Sequence, residues 1–485
     1  MSEAKRLHPV SILFDLIFSV RQFILPIIIG FFSFRNDSLV YYLLALAGLL
    51  LLYFVIAIIV WYRFTYRVVD DELRIEHGVF VRKKRHISKN RIQSIDLTSG
   101  IIHRIFHLTK VEIETAGTGM EAEASLSAVK RAEGEALRRE LKSGDTGAAV
   151  NDELDNETSE QPERPHSAIS PKRLFIAATT SGSVGVIIVF ALTGFSQFEQ
   201  FIPEETFKST FNWAIGLGLV IIITLAVLFL LLLWLLGIAG TIIKYGKFTI
   251  TRNEQELFIT RGLLEKKQIT IPLRRIQAIG IQETIIRQPL GYVTVFAEIA
   301  GGSMDRGEDF SSILFPIMKE EEVNDFLAVF LPEYAGVDYD LRPLPKRARK
   351  FYMLRASWPF LLLIAAVGWL FLKFIWIPVV LLVIGGIGLG WLRHRDGGFK
   401  VTGKRVTIRY RGLLSRNTVL MYHKRIQAYE KKQHKLQKWQ NLATANFSII
   451  GTMGAGTHFT VKDLAVSDTH VLSDWYSRQR TRTDN

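Results

Sequence analysis

Long apolar blocks alternate along this chain with shorter segments in which apolar and polar residues take turns. A bilayer core is about 30 Å thick, so a spanning helix needs roughly 20 mainly apolar residues. The stretches Ser38 to Phe64, Leu174 to Phe195 and Phe211 to Ile243 meet that length. Met353 to His394 is too long for one span and divides into two near Lys373. At the start, "SILFDLIFSVRQFILPIIIGFF" is interrupted by Asp15 and Arg21 and is followed by no small-residue cleavage site. It reads as an uncleaved first span rather than a signal peptide. Residues 10 to 21 are amphipathic and suit the bilayer interface, with entry into the bilayer near Phe23. The pattern therefore predicts six transmembrane α-helices in three hairpins, at 10–64, 174–243 and 353–394.

Each hairpin is followed by a segment that alternates with a period of two, the mark of half-buried strands. These segments cover 65–142, 246–335 and 397–480. Each closes on a helical pattern: "KRAEGEALRREL", "KEEEVNDFLAVFL" and "SDTHVLSDWYS". About seven short strands and one C-terminal helix per segment predict a small β-barrel or sandwich with a helix across it. Between the first two units, 143–170 is acidic and poor in apolar residues and reads as a disordered linker. The three segments share a signature at fixed spacing. Thirteen residues separate Gly78 from Arg91-Ile92-Gln93, Gly262 from Arg275-Ile276-Gln277, and Gly412 from Arg425-Ile426-Gln427. Equal spacing at three places argues for one structural unit used three times.

Charge then orients the picture. The 485-residue chain has a formal net charge of +14. Its Lys and Arg residues gather where the hairpins meet the strand-rich segments: Lys5 and Arg6, Arg63 and Arg67, Lys172 and Arg173, Lys244 and Lys247, Lys346 to Lys350, Arg393 and Arg395. The turns between spans differ: "SFRNDS" is balanced, "SQFEQFIPEETFKS" is acidic on balance, and the third has little beyond Lys373. Cytoplasmic flanks carry the Lys/Arg excess, so both termini and all three strand-rich units are expected in the cytoplasm of a multi-pass cell-membrane protein. Ionisable residues are almost absent from the span interiors, which speaks against a transport path, the alternative function for such a chain. Gly386 and Gly390 have the spacing at which small residues let helices pack closely.

The chain lacks cysteine, which excludes disulfide frameworks and thiolate zinc sites. His103 and His107 lie four apart without a third ligand beside them, and no P-loop or nucleophile elbow is present. No catalytic residue, metal or cofactor is expected, and the protein is expected not to be an enzyme. The Arg-Ile-Gln motif admits two roles. Arg91, Arg275 and Arg425 could hold phosphate through the guanidinium fork while Gln93, Gln277 and Gln427 orient it. Alternatively the isoleucine faces the core and its neighbours satisfy backbone groups. A motif kept in every copy favours the second, since specificity usually varies from loop to loop. The third unit adds Lys431, Lys432, Lys435 and Lys438, a candidate surface for anionic headgroups. Aromatic residues are not interleaved with these lysines, and nucleic acid is not an expected partner.

Paired spans, a strand-rich unit with Gly and then Arg-Ile-Gln, the strand "GYVTVFAEIAGG" and a final helix together resemble the bacterial pleckstrin-homology-like (PH-like), membrane-flanking family. Within it they resemble the members with three such domains in one chain. The resemblance covers nearly the whole chain apart from the linker. It implies PH-like domains at the inner leaflet and supplies no catalytic residues. It also implies binding or scaffolding of lipids or proteins, an envelope-maintenance or antimicrobial-defence role, and a shorter single-domain relative or further copies of the chain as partners.

Overall fold

The protein is seen here in a computed structural model, which describes residues 4–14, 16–17, 37–79, 81–115, 124–142, 165–181, 218–301, 312–369, 376–451 and 456–483. The chain divides into two compact units, and the main division falls after Ile271, inside the second repeat.

In the first unit, the helix α1 (Asp37–Arg63) leads into the antiparallel strands β1 (Thr65–Val69), β2 (Glu72–His77) and β3 (Lys83–Ser88). A 3-10 turn at Lys89–Arg91 passes the chain to β4 (Ile92–Ser99), the short helix α2 (Ile101–Ile105), β5 (Leu108–Thr115), β6 (Ala124–Lys130) and the closing helix α3 (Arg131–Lys142). Alternate positions point inward, and Leu73, Ile75, Ile95, Val111 and Ile113 meet Leu137 and Leu141 of α3 in one core. Leu7 joins that core, and its carbonyl accepts a hydrogen bond from Trp61 Nε1 (2.8 Å), which fastens the N-terminal segment to the end of α1. The second repeat opens with β7 (His166–Ala168), α4 (Pro171–Thr179) and α5 (Leu219–Tyr245), then β8 (Thr249–Arg252), β9 (Glu256–Arg261) and β10 (Lys266–Pro272).

The second unit begins with a 3-10 turn at Leu273–Arg275, then β11 (Ile276–Thr284), β12 (Tyr292–Ile299), β13 (Ser312–Lys319) and α6 (Val323–Phe330). The third repeat follows with β14 (Arg342–Pro343), α7 (Arg349–Trp369), α8 (Trp376–Asp396), β15 (Gly398–Thr402), β16 (Arg405–Arg411), β17 (Ser415–Tyr422), a 3-10 turn at His423–Arg425, β18 (Ile426–Lys432), α9 (Lys435–Trp439), β19 (Leu442–Ile450), β20 (Gly456–Ala465) and α10 (Val466–Thr483).

Seven-stranded sheets are present, but each draws strands from two repeats. One runs β6-β5-β4-β10-β9-β8-β7 and the other β13-β12-β11-β17-β16-β15-β14. The joins, β4 with β10 and β11 with β17, are antiparallel and in the same register. Leu97, six residues after Arg91, pairs with Gln268, seven before Arg275. Ile281, six after Arg275, pairs with Thr418, seven before Arg425. Each repeat by itself contributes two groups of three strands, and a short segment ahead of each expected hairpin adds to the edge. Lys5 bridges to Tyr66, β7 pairs with β8 and β14 pairs with β15. Residues 166–168, expected within the disordered linker, are therefore an ordered edge strand. Ser170 caps the helix that follows, accepting from the Arg173 N–H (3.3 Å) with Pro171 in the first turn.

Among the described residues, two helices are long and apolar enough to cross a membrane, Val40–Arg63 and Ile223–Tyr245. Their leucines and isoleucines are largely exposed, as lipid-facing residues are. In the second unit α7 and α8 form a close hairpin. A Cβ on Gly390 would lie 2.4 Å from Met353 Cα, and one on Gly386 would lie 3.0 Å from Ala356 O, whereas Gly385 and Gly388 have nothing within 4 Å. Residues 18–36, in the first expected span, 182–217, which hold the rest of the expected span Leu174 to Phe195, the turn after it and the start of the expected span Phe211 to Ile243, and the turn at 370–375 lie outside the described residues.

Candidate functional site

The recurring motif is a piece of backbone path. In every repeat the arginine ends a 3-10 turn, the isoleucine returns to extended backbone (φ −70°, −68° and −80°), and the ladder slips immediately afterwards. The register shifts fall between Ile92 and Ser94, Ile276 and Ala278, and Ile426 and Ala428, so the glutamine is the bulged residue each time. In the second repeat Ile276 is buried, Arg275 Nε donates to Ala300 O (2.8 Å), the Ala300 N–H donates to Arg275 O (2.9 Å), and Gln277 Nε2 donates to the same carbonyl (3.1 Å). Arg91 and Gln427 are exposed, while Gln93 and Arg425 are half-buried. The side chains thus meet different surroundings while the turn and bulge are conserved. Thirteen residues upstream, Gly78 and Gly262 have φ of +117° and +101°, where a Cβ would collide with the carbonyl three residues on. They shape the tips of the β2–β3 and β9–β10 hairpins.

Those tips sit at the ends of the apolar helices. Arg63 Nη1, at the end of α1, donates to Val79 O (2.6 Å). The Leu263 N–H donates to Ile243 O (2.9 Å) and the Gly262 N–H to Gly246 O (2.8 Å), which holds the β9–β10 tip against the last turn of α5. In the second unit Arg393 Nε of α8 donates to Gly412 O (3.2 Å), and Arg411 pairs with Asp396. A second element reaches the β9–β10 and β16–β17 tips: the connection that follows the bulged strand of the preceding repeat, β4 or β11. Arg104 Nη1 of α2 donates to Leu263 O (2.6 Å). The Ile285 N–H donates to Leu414 O (2.9 Å), and Arg411 Nη2 donates to Gln288 Oε1 (2.6 Å). In the third repeat the same connection is α9. Gln437 Nε2 donates to the buried Asp463 (2.6 Å), whose other oxygen pairs with Arg355 of α7 (2.7 Å).

Lys431 and Lys432 project from β18, and Lys435 and Lys438 from α9; all four are exposed. Lys432 lies 2.9 Å from Glu430 and Lys431 Nζ 3.5 Å from His470 Nε2, both on the surface. Beside the lysines, Leu436 and Trp439 are 57% and 80% exposed. The equivalent connections expose Ile101, Ile105 and Phe106 in the first repeat and Ile285, Ile286 and Leu290 in the second. Sequence reasoning named the lysines as candidates and passed over these apolar residues. Isoleucine and leucine beside a strand read as core until the structure shows them exposed among the described residues. His103 is placed as a structural residue: its Nε2 bonds Ser127 O (2.9 Å) and its ring stacks on Phe14 (3.9 Å). Burial lowers its pKa below the usual histidine value.

Comparison with known proteins agrees with this repetition. The family described as Bacterial PH domain matches residues 18–144, 212–331 and 359–480. The UPF0699 transmembrane protein YdbT of Bacillus subtilis (strain 168) is 37% identical over 498 aligned positions, covering 99% of each chain.

Proposed function

The chain belongs to the bacterial PH domain family, and on that premise we propose that it is a multi-pass membrane scaffold whose PH-like domains bind anionic lipid headgroups at the cytoplasmic face. It is a membrane protein with three such repeats. The six-span arrangement rests on the lengths of the apolar blocks, and the orientation on the Lys/Arg excess at the domain-side flanks. The recurring residues shape turns, and the connections between strands expose lysines and apolar side chains.

The observation that carries the headgroup reading is the tie from α9 through Gln437 and Asp463 to Arg355. It ties the helix that carries Lys435 and Lys438 to Arg355, after which α7 becomes apolar, and Lys431 and Lys432 precede them on β18. Basic residues next to an anionic leaflet gain roughly 1 kcal/mol each, so four together outweigh thermal dissociation. The test is native mass spectrometry of the full detergent-solubilised chain offered equal phosphatidylglycerol and phosphatidylcholine. Retained phosphatidylglycerol should exceed phosphatidylcholine. Replacing Lys431, Lys432, Lys435 and Lys438 by glutamine should cut that excess about tenfold or more. An unchanged ratio in the quadruple variant would remove the reading.

A further inference from the structure

We infer that the apolar tips where neighbouring repeats join dip into the acyl boundary of the bilayer, as anchors additional to the membrane-spanning helices. The inference builds on the membrane-facing reading above but does not depend on anionic lipid. In the first unit Ile105 (65% exposed) and Phe106 stand at the end of α2, and Leu264 tops the adjoining β9–β10 tip. In the second unit Ile286 (56%) and Leu290 stand beside Leu413 and Leu414 (61%) of the β16–β17 tip. Both clusters are built in the same way. The strand join brings the fourth-strand connection of one repeat against the second hairpin of the next, so two independent turns expose apolar side chains together.

What covers them follows from where they are tied. The first cluster is bonded through Leu263 to the carbonyl of Ile243, two residues before the end of the membrane helix α5. Lys244 and Tyr245 follow Ile243, and such residues occupy the headgroup level. The second cluster is bonded through Gly412 to Arg393, in the last turn of α8, and through Arg411 to Asp396. Side chains held within one helical turn of that boundary reach a zone into which amphipathic elements bury their apolar faces by about 5–10 Å. Isolated exposed apolar residues need no explanation, but paired clusters at one repeated position do.

The chain lacks cysteine, so single reporters can be placed without background. Ile105→Cys, Ile286→Cys and Leu414→Cys, each in the full chain, would carry a nitroxide in nanodiscs of phosphatidylcholine alone and with phosphatidylglycerol. Asp71→Cys, in the β1–β2 turn, and Glu254→Cys, at the opposite end of the β9–β10 hairpin, serve as references. The readout is spin relaxation by oxygen against relaxation by a water-soluble nickel chelate. The expected oxygen-to-nickel ratio at the tips is at least fivefold above the references in both lipids. Ratios equal to the references overturn the inference, as does shielding of the tips from both reagents, which would mean that protein covers them. Leu264→Cys and Leu290→Cys supply a second reading of each cluster should a first label perturb the fold. Tips exposed to water alongside an intact phosphatidylglycerol preference would defeat this inference and leave the headgroup reading standing. Buried tips without that preference would do the reverse.

Discussion

Asp96 sits in β4 where the first repeat meets the second, and its carboxylate accepts the Thr270 N–H of β10 (3.0 Å). Burial, and after it the charge of Glu114, push its pKa up to about 7, against which the Thr270 N–H and Arg138 act only in part. A carboxyl whose folded pKa lies above the ordinary value near 3.8 prefers the folded state when protonated. Its favourable contribution is full below about pH 4 and is lost as the pH rises through about 7. The first unit should therefore melt at a lower temperature at pH 8 than at pH 5.5. Asp96→Asn should flatten that difference, because an amide carries no charge to desolvate. Thermal unfolding of the detergent-solubilised chain at the two pH values checks this; a slope unchanged in the variant would assign the dependence to another group. Nothing in the sequence marks Asp96 as unusual. Its environment is made by Glu114, Arg138 and Thr270, and the last of these belongs to another repeat.

Elements differ in how plainly the sequence announces them. The α7–α8 hairpin is legible because Gly386 and Gly390 share one face of a helix, and that face is the one meeting α7. Gly390→Leu would press carbon against the backbone of Tyr352 and Met353, which cannot move without parting the helices, whereas Gly388→Leu meets open space. Overpacking of this kind costs about 1–3 kcal/mol. Gly390→Leu should thus lower the melting temperature of the chain while Gly388→Leu leaves it unchanged, and equal effects would place the seam elsewhere. The thirteen-residue spacing is legible too, because hairpin, 3-10 turn and bulge are local and every copy builds them from the same offsets. The strand joins are not. Periodicity marks the bulged strand of one repeat and the third strand of the next as strands, but hydropathy does not say which edges meet, Leu97 with Gln268 in one join and Ile281 with Thr418 in the other. The apolar tips stayed hidden for the same reason: without the register, Ile285 and Ile286 extend a buried strand. The edge strand at His166–Ala168 was hidden by its length, since three residues carry no period.

Across the whole molecule one pairing step is used twice, and at each end a strand of the same kind has no neighbour in its described sheet. β3 is the outer strand of β1-β2-β3, and β18 the outer strand of β18-β19-β20. An open edge is a template for joining another chain. If β18 of one molecule met β3 of another in the register of the internal joins, Lys431 would face Lys84 and Lys432 would face Lys83. At the corresponding internal positions the pairs are Leu97 with Gln268, Thr98 with Lys267, Ile281 with Thr418 and Gln282 with Asn417, none of them like charges. Lys83 and Lys84 are exposed, as are Lys431 and Lys432, and the carboxylates of Glu76 beside Lys84 (3.8 Å) and Glu430 beside Lys432 (2.9 Å) offset part of the repulsion. Like charges directly opposite destabilise a strand pair, and opposite charges stabilise it by roughly 0.2–1 kcal/mol. In that pairing the terminal lysines would oppose head-to-tail chaining. Lys431→Glu with Lys432→Glu should convert two repulsions into attractions and raise self-association roughly tenfold, since about 1.4 kcal/mol is a factor of ten. Adding Lys83→Glu and Lys84→Glu restores like charges and should reverse it. Light scattering of the solubilised chain over a concentration series reads both steps. Association that rises in the first variant and persists in the second would show that charge removal at β18, not pairing with β3, is responsible.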